Sequence, residues 1–209
     1  MIQQRQKSAV ILLVVAYLAF GFTTPSRAAT TPADTPKEQL RLTIDRVFSI
    51  FENPSLGEVE KKRILREIIL PRFDYDEMAK RVLATHWKAN KDRMAEFIPL
   101  FIGLLEKAYM TMNTFEAAKG AKIEYGLERV DGNIAEVHTK IITKNGNAVP
   151  IVYRLRLSGN DWKVYDMAVE GISMVSNYRS QFNKIILTSS FDELLKRMRE
   201  KVELPQDRR

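Results

Sequence analysis

The chain changes its hydrophobic rhythm once, near Lys122. Before that point apolar residues recur every three or four positions, the spacing of helices that bury one face; after it they alternate with polar ones, as in half-buried strands. Four helix starts carry a capping pattern, a short polar acceptor followed three residues later by Glu: Thr35 and Glu38, Ser55 and Glu58, Asp74 and Glu77, Ser190 and Glu193. Pro36 takes the favoured first helical position. The first predicted helix presents Leu40, Ile44, Val47, Phe48 and Phe51 on one side. The second presents Ile64, Leu65, Ile68 and Ile69 and stops at Pro71. A short third runs from Asp74 to about Thr85. A fourth, from about Lys91 to Met112, carries Met94, Phe97, Ile98, Phe101, Leu105, Ala108, Tyr109 and Met112. Leu100, Ile102 and Leu104 widen that stripe beyond one packed face, and Pro99 is expected to kink the helix.

Beyond Lys122 the alternation predicts four strands, at about 122–129, 133–143, 148–157 and 162–169. Asp131-Gly132, Asn145-Gly146 and Gly159-Asn160 mark the turns of an antiparallel meander. Pairing register follows from the need for one apolar face. A three-residue loop ending in left-handed Gly146 sets Val149, Ile151, Tyr153 and Leu155 opposite Ile141, Thr139, Val137 and Ala135. A Gly159-Asn160 turn sets Leu157 opposite Trp162, Leu155 opposite Val164 and Tyr153 opposite Asp166, and leaves Met167 and Val169 on the other face. Two helices close the chain, one using Val175, Tyr178, Phe182, Ile185 and Ile186, the other Phe191, Leu194, Leu195, Met198 and Val202. Helices followed by a curled four-stranded antiparallel sheet, with about six helices around it, make an α+β domain. The apolar sheet face and the wide helical stripe either enclose a cavity or pack solid; periodicity allows both.

The first residues read as an export signal rather than as fold. Arg5 and Lys7 precede an apolar run from Ser8 to Phe22, and Ser26 and Ala28 form a small-residue cleavage site. Residues 1–28 are therefore expected to be removed, leaving 29–209 as one domain. The leader holds Arg5, Lys7 and Arg27 and no acid, so the remaining 30 basic and 26 acidic side chains leave a balance of +4. That is too mild to argue for nucleic acid and suits an anionic membrane surface only weakly.

Candidate chemistry is sparse. The absence of Cys excludes disulfides, thiol catalysis and zinc–thiolate sites. The two histidines, His86 and His138, lie on different elements, and metal sites need more ligands at fixed spacing. No phosphate-binding glycine loop, dinucleotide pattern or nucleophile elbow occurs. Asp166, within an apolar strand, has the makings of a general base, set against the more ordinary role of an ion-paired structural carboxylate. Glu170 and Gly171 mark the corner between the last strand and the next helix, where Gly171 suits a positive φ. Arg179 has the geometry to meet a phosphate, or a carboxylate such as Asp166 or Glu170. The run Lys196, Arg197, Arg199 and Lys201 reads as the wet face of a terminal helix.

The corner sequence Tyr165-Asp166, Glu170-Gly171-Ile172-Ser173, Val175, Asn177-Tyr178-Arg179 and Gln181-Phe182 resembles the MlaC/toluene-tolerance family of periplasmic phospholipid-binding proteins. Phe73-Asp74-Tyr75-Asp76-Glu77-Met78-Ala79 and Val82-Leu83-Ala84-Thr85-His86-Trp87 resemble its upstream helical segment, with Ala84 where the family often has Gly. The resemblance implies an NTF2-like sheet with helices around a lipid pocket, and no cofactor, metal or catalytic residue. It implies a phospholipid ligand, periplasmic localisation, and partners in an inner-membrane ABC transporter with an MCE-domain subunit and an outer-membrane lipoprotein–porin complex. Face and resemblance together point to tail contacts from Phe101, Leu105, Tyr109, Val137, Ile141, Ile151, Tyr153, Leu155, Val164, Val169, Ile172 and Val175, with Tyr178 and Arg179 near the head group at the mouth. The rival readings are an NTF2-like enzyme using Asp166 as base, a hopanoid-associated carrier, and an adaptor with a packed core.

Overall fold

The computed structural model describes residues 35–109 and 120–203. The expected leader with its cleavage site, and the predicted end of the fourth helix at Met112, lie outside those residues. The Thr35 hydroxyl accepts the Glu38 N–H at 3.2 Å and starts α1, Pro36–Glu52. α2, Glu58–Ile69, begins differently from expectation: Gly57 is its N-cap and supplies no side-chain bond. Ser55 sits instead in the preceding turn, its N–H donating to Asn53 Oδ1 at 2.9 Å. A single 3-10 turn, Leu70–Arg72, carries the chain to Asp74, which caps α3, Tyr75–Leu83, by accepting the Glu77 N–H at 3.0 Å.

α3 stops at Leu83, two residues before the expected Thr85, because Ala84 turns to φ 47°, ψ −114°. That backbone is one that turns usually give to glycine. Two 3-10 segments follow, Ala84–His86 and Lys88–Arg93, before α4, Met94–Tyr109, which stays one helix through Pro99. The sheet comprises β1, Lys122–Asp131, β2, Ile134–Ile142, β3, Ala148–Ser158, and β4, Asp161–Val169, in antiparallel sequence order. A two-residue fifth strand, β5, Ile172–Ser173, was not anticipated. It folds back on β4 through Glu170 and Gly171, at φ 50° and 81°, the pair of left-handed residues of a type I′ turn. Ser173 then caps α5, Met174–Thr188, by accepting the Ser176 N–H at 3.0 Å. Ser190 likewise receives the Glu193 N–H at 3.0 Å at the head of α6, Phe191–Glu203.

The β2–β3 hairpin takes the register that keeps one face apolar, with Ile141, Thr139, Val137 and Ala135 opposite Val149, Ile151, Tyr153 and Leu155. Between β3 and β4 the expected register holds only as far as Leu155 opposite Val164. There β4 inserts one extra residue, Tyr165, and the partners beyond it are Arg154 with Asp166 and Tyr153 with Met167. The bulge exchanges the faces of everything after it. Asp166 leaves the apolar face for the Arg154 side, and Met167 and Val169 join the apolar face. Tyr165 stays on the helical side of the sheet, buried under the Arg81 guanidinium at 4.2 Å from its ring.

Two cores result. On one side of β4, α3, α4, α5 and α6 pack around Phe97, Phe101, Leu195 and Met78, all fully buried. Phe97, Phe101, Tyr178 and Phe182 form a ring cluster with centroid separations between 5.5 and 6.0 Å. The width of the α4 stripe is explained here: its apolar residues meet three helices, and Gly103 lets α6 approach so closely that a Cβ would lie 3.0 Å from Val202. The smaller core, on the other side, joins Leu40 of α1 to Ala135, Val137, Leu155, Trp162 and Val164.

Ala84 is the clearest point of stored backbone strain, since a non-glycine residue in such a conformation costs on the order of 1–3 kcal/mol. Ala84→Gly is expected to stabilise the protein by about 1 kcal/mol and raise its Tm by about 2–4 °C in a thermal melt. A Tm that falls would mean the strain is absent.

Candidate functional site

α1 is pinned to the sheet at its N-terminal end. Gln39 clamps the β3–β4 hairpin, donating from Nε2 to the Asn160 carbonyl at 3.1 Å and accepting the Trp162 N–H at 2.9 Å. The Lys37 N–H donates to Glu128 of β1 at 2.7 Å. Leu40 is buried in the small core beneath. Further along, Ile44, Val47 and Phe48 point the same way but stay only half-buried. The space they face is an open-sided cavity of about 510 Å3.

The wall is drawn from every layer. α1 contributes Leu40, Thr43, Ile44, Val47, Phe48 and Phe51. The sheet contributes Ile123, Ile141, Val149, Ile151, Tyr153, Val164, Met167 and Val169. Ile69, Leu70, Arg72, Phe73 and Tyr75 form one side, and Leu105, Glu106 and Met174 complete it. The Tyr165 bulge makes the β4 side of this wall, since without it Met167 and Val169 would face the other way. The bulge also holds the Phe73 segment in place: the Asp74 N–H donates to the Val164 carbonyl at 2.9 Å, and Phe73 forms a bridge to Val164.

Few polar atoms reach this space. Thr43 returns its hydroxyl to the Gln39 carbonyl at 2.9 Å. Burial pushes the Tyr153 phenol up to about 12, so it stays neutral. Among the described residues only Arg72 and Glu106 bring charge to the wall. The Arg66 guanidinium grips Glu106 through both carboxylate oxygens, Nη2 to Oε2 at 3.3 Å and Nε to Oε1. Arg72 has a looser neighbour, Asp161, at 3.9 Å.

Of the residues singled out from the sequence, Leu105, Ile141, Ile151, Tyr153, Val164 and Val169 lie in the cavity wall. Five others do not. Phe101 and Val175 are sealed in the helical core, because the side of α4 that carries Phe101 packs on α5. Val137 and Leu155 sit on the correct sheet face but belong to the solid core with Leu40, which fills that end. Ile172, on the short β5, is 69% exposed. The side chain of Tyr109 lies outside the described residues.

The two head-group candidates are also displaced. Tyr178 is buried in the aromatic cluster, its ring 5.5 Å from Phe101. Arg179 donates from Nε to the Arg81 carbonyl at 2.7 Å, closing the last turn of α3 away from the cavity wall. The largest omission is α1, whose stripe from Leu40 to Phe51 was visible in the sequence and supplies the helical wall that α4 was expected to give.

Asp166 holds structure together. Its Oδ2 accepts from Arg154 Nη1 at 2.6 Å and from the Ser173 hydroxyl at 2.7 Å, and Oδ1 accepts the Val175 N–H at 3.1 Å. A carboxylate at the first turn of α5 suits the partial positive charge there. It lies outside the cavity wall and faces Arg154, so it is not placed to serve as a base toward anything in the cavity. Among the described residues no three His, Asp or Glu side chains are grouped to hold a metal ion. No helix among them is long and apolar enough to cross a membrane.

Comparison with known proteins matches the model of the MlaC protein family to residues 41–200. Over 148 residues the chain is 28% identical to the intermembrane phospholipid transport system binding protein MlaC of Haemophilus influenzae, covering 69% of each. Over 128 residues it is 28% identical to toluene tolerance protein ttg2D of Pseudomonas putida, covering 56% of this chain and 55% of that one. The fold is shared with a solved structure, the phospholipid-binding protein from Ralstonia solanacearum in complex with a phospholipid, at a TM-score of 0.70 and 23% identity. The superposition covers 79% of this chain and 96% of the other.

Asp166→Asn keeps the shape but removes the charge that joins Arg154 to α5. Charge-assisted bonds are worth more than neutral ones, and Arg154 is half in solvent, so the expected loss is about 2 kcal/mol. A thermal melt should show Tm lowered by about 4–8 °C. An unchanged Tm would remove Asp166 from its structural role.

Proposed function

The chain belongs to the MlaC family, and from that premise we propose that it is a periplasmic phospholipid carrier whose cavity under α1 holds acyl chain. The single observation that supports this most is the open, almost wholly apolar space between α1 and the sheet. A soluble domain ordinarily fills such a gap, because unfilled apolar volume forfeits packing contacts. Holding α1 off the sheet from Ile44 onward makes sense when the missing contacts arrive with a ligand. The expected export leader, the inner-membrane ABC transporter with its MCE-domain subunit and the outer-membrane lipoprotein–porin complex belong to this reading.

The dimensions suit one acyl chain. A cavity of about 510 Å3 lies within the roughly 300–1,000 Å3 of sites that bury one small ligand. Along β3 the wall covers the five residues from Val149 to Tyr153, about 13 Å of strand, so a longer chain follows it bent or in part. A two-chain lipid therefore needs more room than this conformation offers. α1 and α2 can supply it by moving outward together, since α2 buries only Leu65.

Energetics explain why a carrier needs nothing else. A sixteen-carbon chain gains roughly 13 kcal/mol by leaving water, at about 0.8 per methylene. A bilayer offers nearly the same, so the protein must match the membrane and not exceed it by much. An apolar cavity with no dedicated nucleophile or base in its wall meets that requirement.

Val47→Trp puts a large ring into the cavity from the half-buried, cavity-facing side of α1, outside both packed cores. Displacing even two methylenes weakens binding about tenfold. Uptake of phosphatidylglycerol from vesicles should fall by at least about that factor, while the far-ultraviolet spectrum and Tm stay unchanged. Undiminished uptake by a folded variant would place the lipid elsewhere.

A further inference from the structure

We propose that Arg72 is the head-group anchor of this cavity, binding the phosphate of a phospholipid and so setting which end of the lipid faces out. This rests on the carrier reading above and deepens it. The argument starts from charge. Of the described wall residues only Arg72 and Glu106 are charged, and Glu106 is already taken by the fork of Arg66. Among the described residues the wall is left with one positive charge, Arg72, whose nearest acidic partner is 3.9 Å away. Asp161 stands 3.9 Å from Arg72 Nη1, beyond hydrogen-bonding reach, and is 60% exposed, so the pair is weak and screened by water and salt. The nearby arginines are engaged far more tightly: Arg156 meets Asp74 at 2.5 Å and Arg154 meets Asp166 at 2.6 Å.

Position strengthens the case. Arg72 ends the 3-10 turn Leu70–Arg72, and its neighbours on the C-terminal side are tied to β4 through the Phe73 bridge and the Asp74-to-Val164 bond. Its backbone is thus held rigidly at the edge of the sheet. Its side chain is 39% exposed and yet lines the cavity, so it stands where cavity and solvent meet. The opposite end of the wall, Ile123, Ile141 and Val149, is purely hydrocarbon. Guanidinium presents a planar fork that matches two phosphate oxygens. A lipid lying along the strands would then place its phosphate at Arg72 and its tail toward the β2–β3 hairpin. The candidate drawn from the sequence, Arg179, is occupied by the Arg81 carbonyl and is not in the wall.

The test is competitive extraction from mixed vesicles containing equal amounts of phosphatidylglycerol and of diacylglycerol with the same two acyl chains, read by mass spectrometry of the protein-bound lipid. Wild-type protein is expected to favour the phospholipid. Arg72→Gln should reduce that preference about tenfold with an unchanged far-ultraviolet spectrum, and Arg72→Lys should keep part of the preference. Unchanged preference in Arg72→Gln overturns the assignment. Isothermal titration with inorganic phosphate separates a free-phosphate site from a head-group site. Heat in the wild type that vanishes in Arg72→Gln, together with an unchanged lipid ratio, would assign Arg72 to free phosphate and overturn the proposal. A wild-type protein that extracts neither lipid overturns the carrier reading and this inference with it, whereas equal extraction of both lipids by the wild type and Arg72→Gln overturns this inference alone.

Discussion

One extra residue in β4 organises the molecule. Tyr165 shifts the register between Arg154 and Leu155, and three consequences follow from that single bulge. Met167 and Val169 turn inward to line the cavity. Asp166 turns outward to meet Arg154 and the first turn of α5. The Val164 carbonyl is left to accept the Asp74 N–H, which seats the chain between α2 and α3 against the sheet. Bulges re-aim side chains and bend strands, and here the bulge lies where the helical core meets the cavity under α1.

The domain therefore has a solid half and a hollow half. In the solid half, α3 to α6 bury a continuous aromatic and aliphatic core. In the hollow half, α1 is fastened at Lys37, Gln39 and Leu40 and stands away from the strands beyond that point. The rigid half gives the sheet a fixed shape, and the hollow half gives it something to hold. On the proposed reading, affinity for lipid follows from how much chain the cavity buries, and selectivity from the charges at its rim.

Much of this was legible in the residues. The change of period at Lys122 marks the boundary between helices and sheet, and the demand for one apolar face yields the β2–β3 register with left-handed Gly146. The bulge was not legible, because Val164, Tyr165 and Met167 are apolar in both phases of the alternation and only Asp166 distinguishes them. Nor could the cavity wall be assigned to α1 over α4. Both carry apolar stripes, and what separates them is what each stripe finds opposite: three helices for α4, empty space and a sheet for α1. Arg179 and Arg72 illustrate the same limit, since a side chain's free valence depends on neighbours that are distant in sequence. Ala84 was flagged only by family resemblance, and its backbone explains why glycine is favoured there.

The central claim is that the space beneath α1 is occupied by lipid when the protein works. Native mass spectrometry of the full protein, purified from its own cell envelope without detergent, tests this most directly. The expected result is a bound species whose added mass is that of a phospholipid and which is lost from Val47→Trp. A clean apo mass that gains no lipid after incubation with phospholipid vesicles would contradict it.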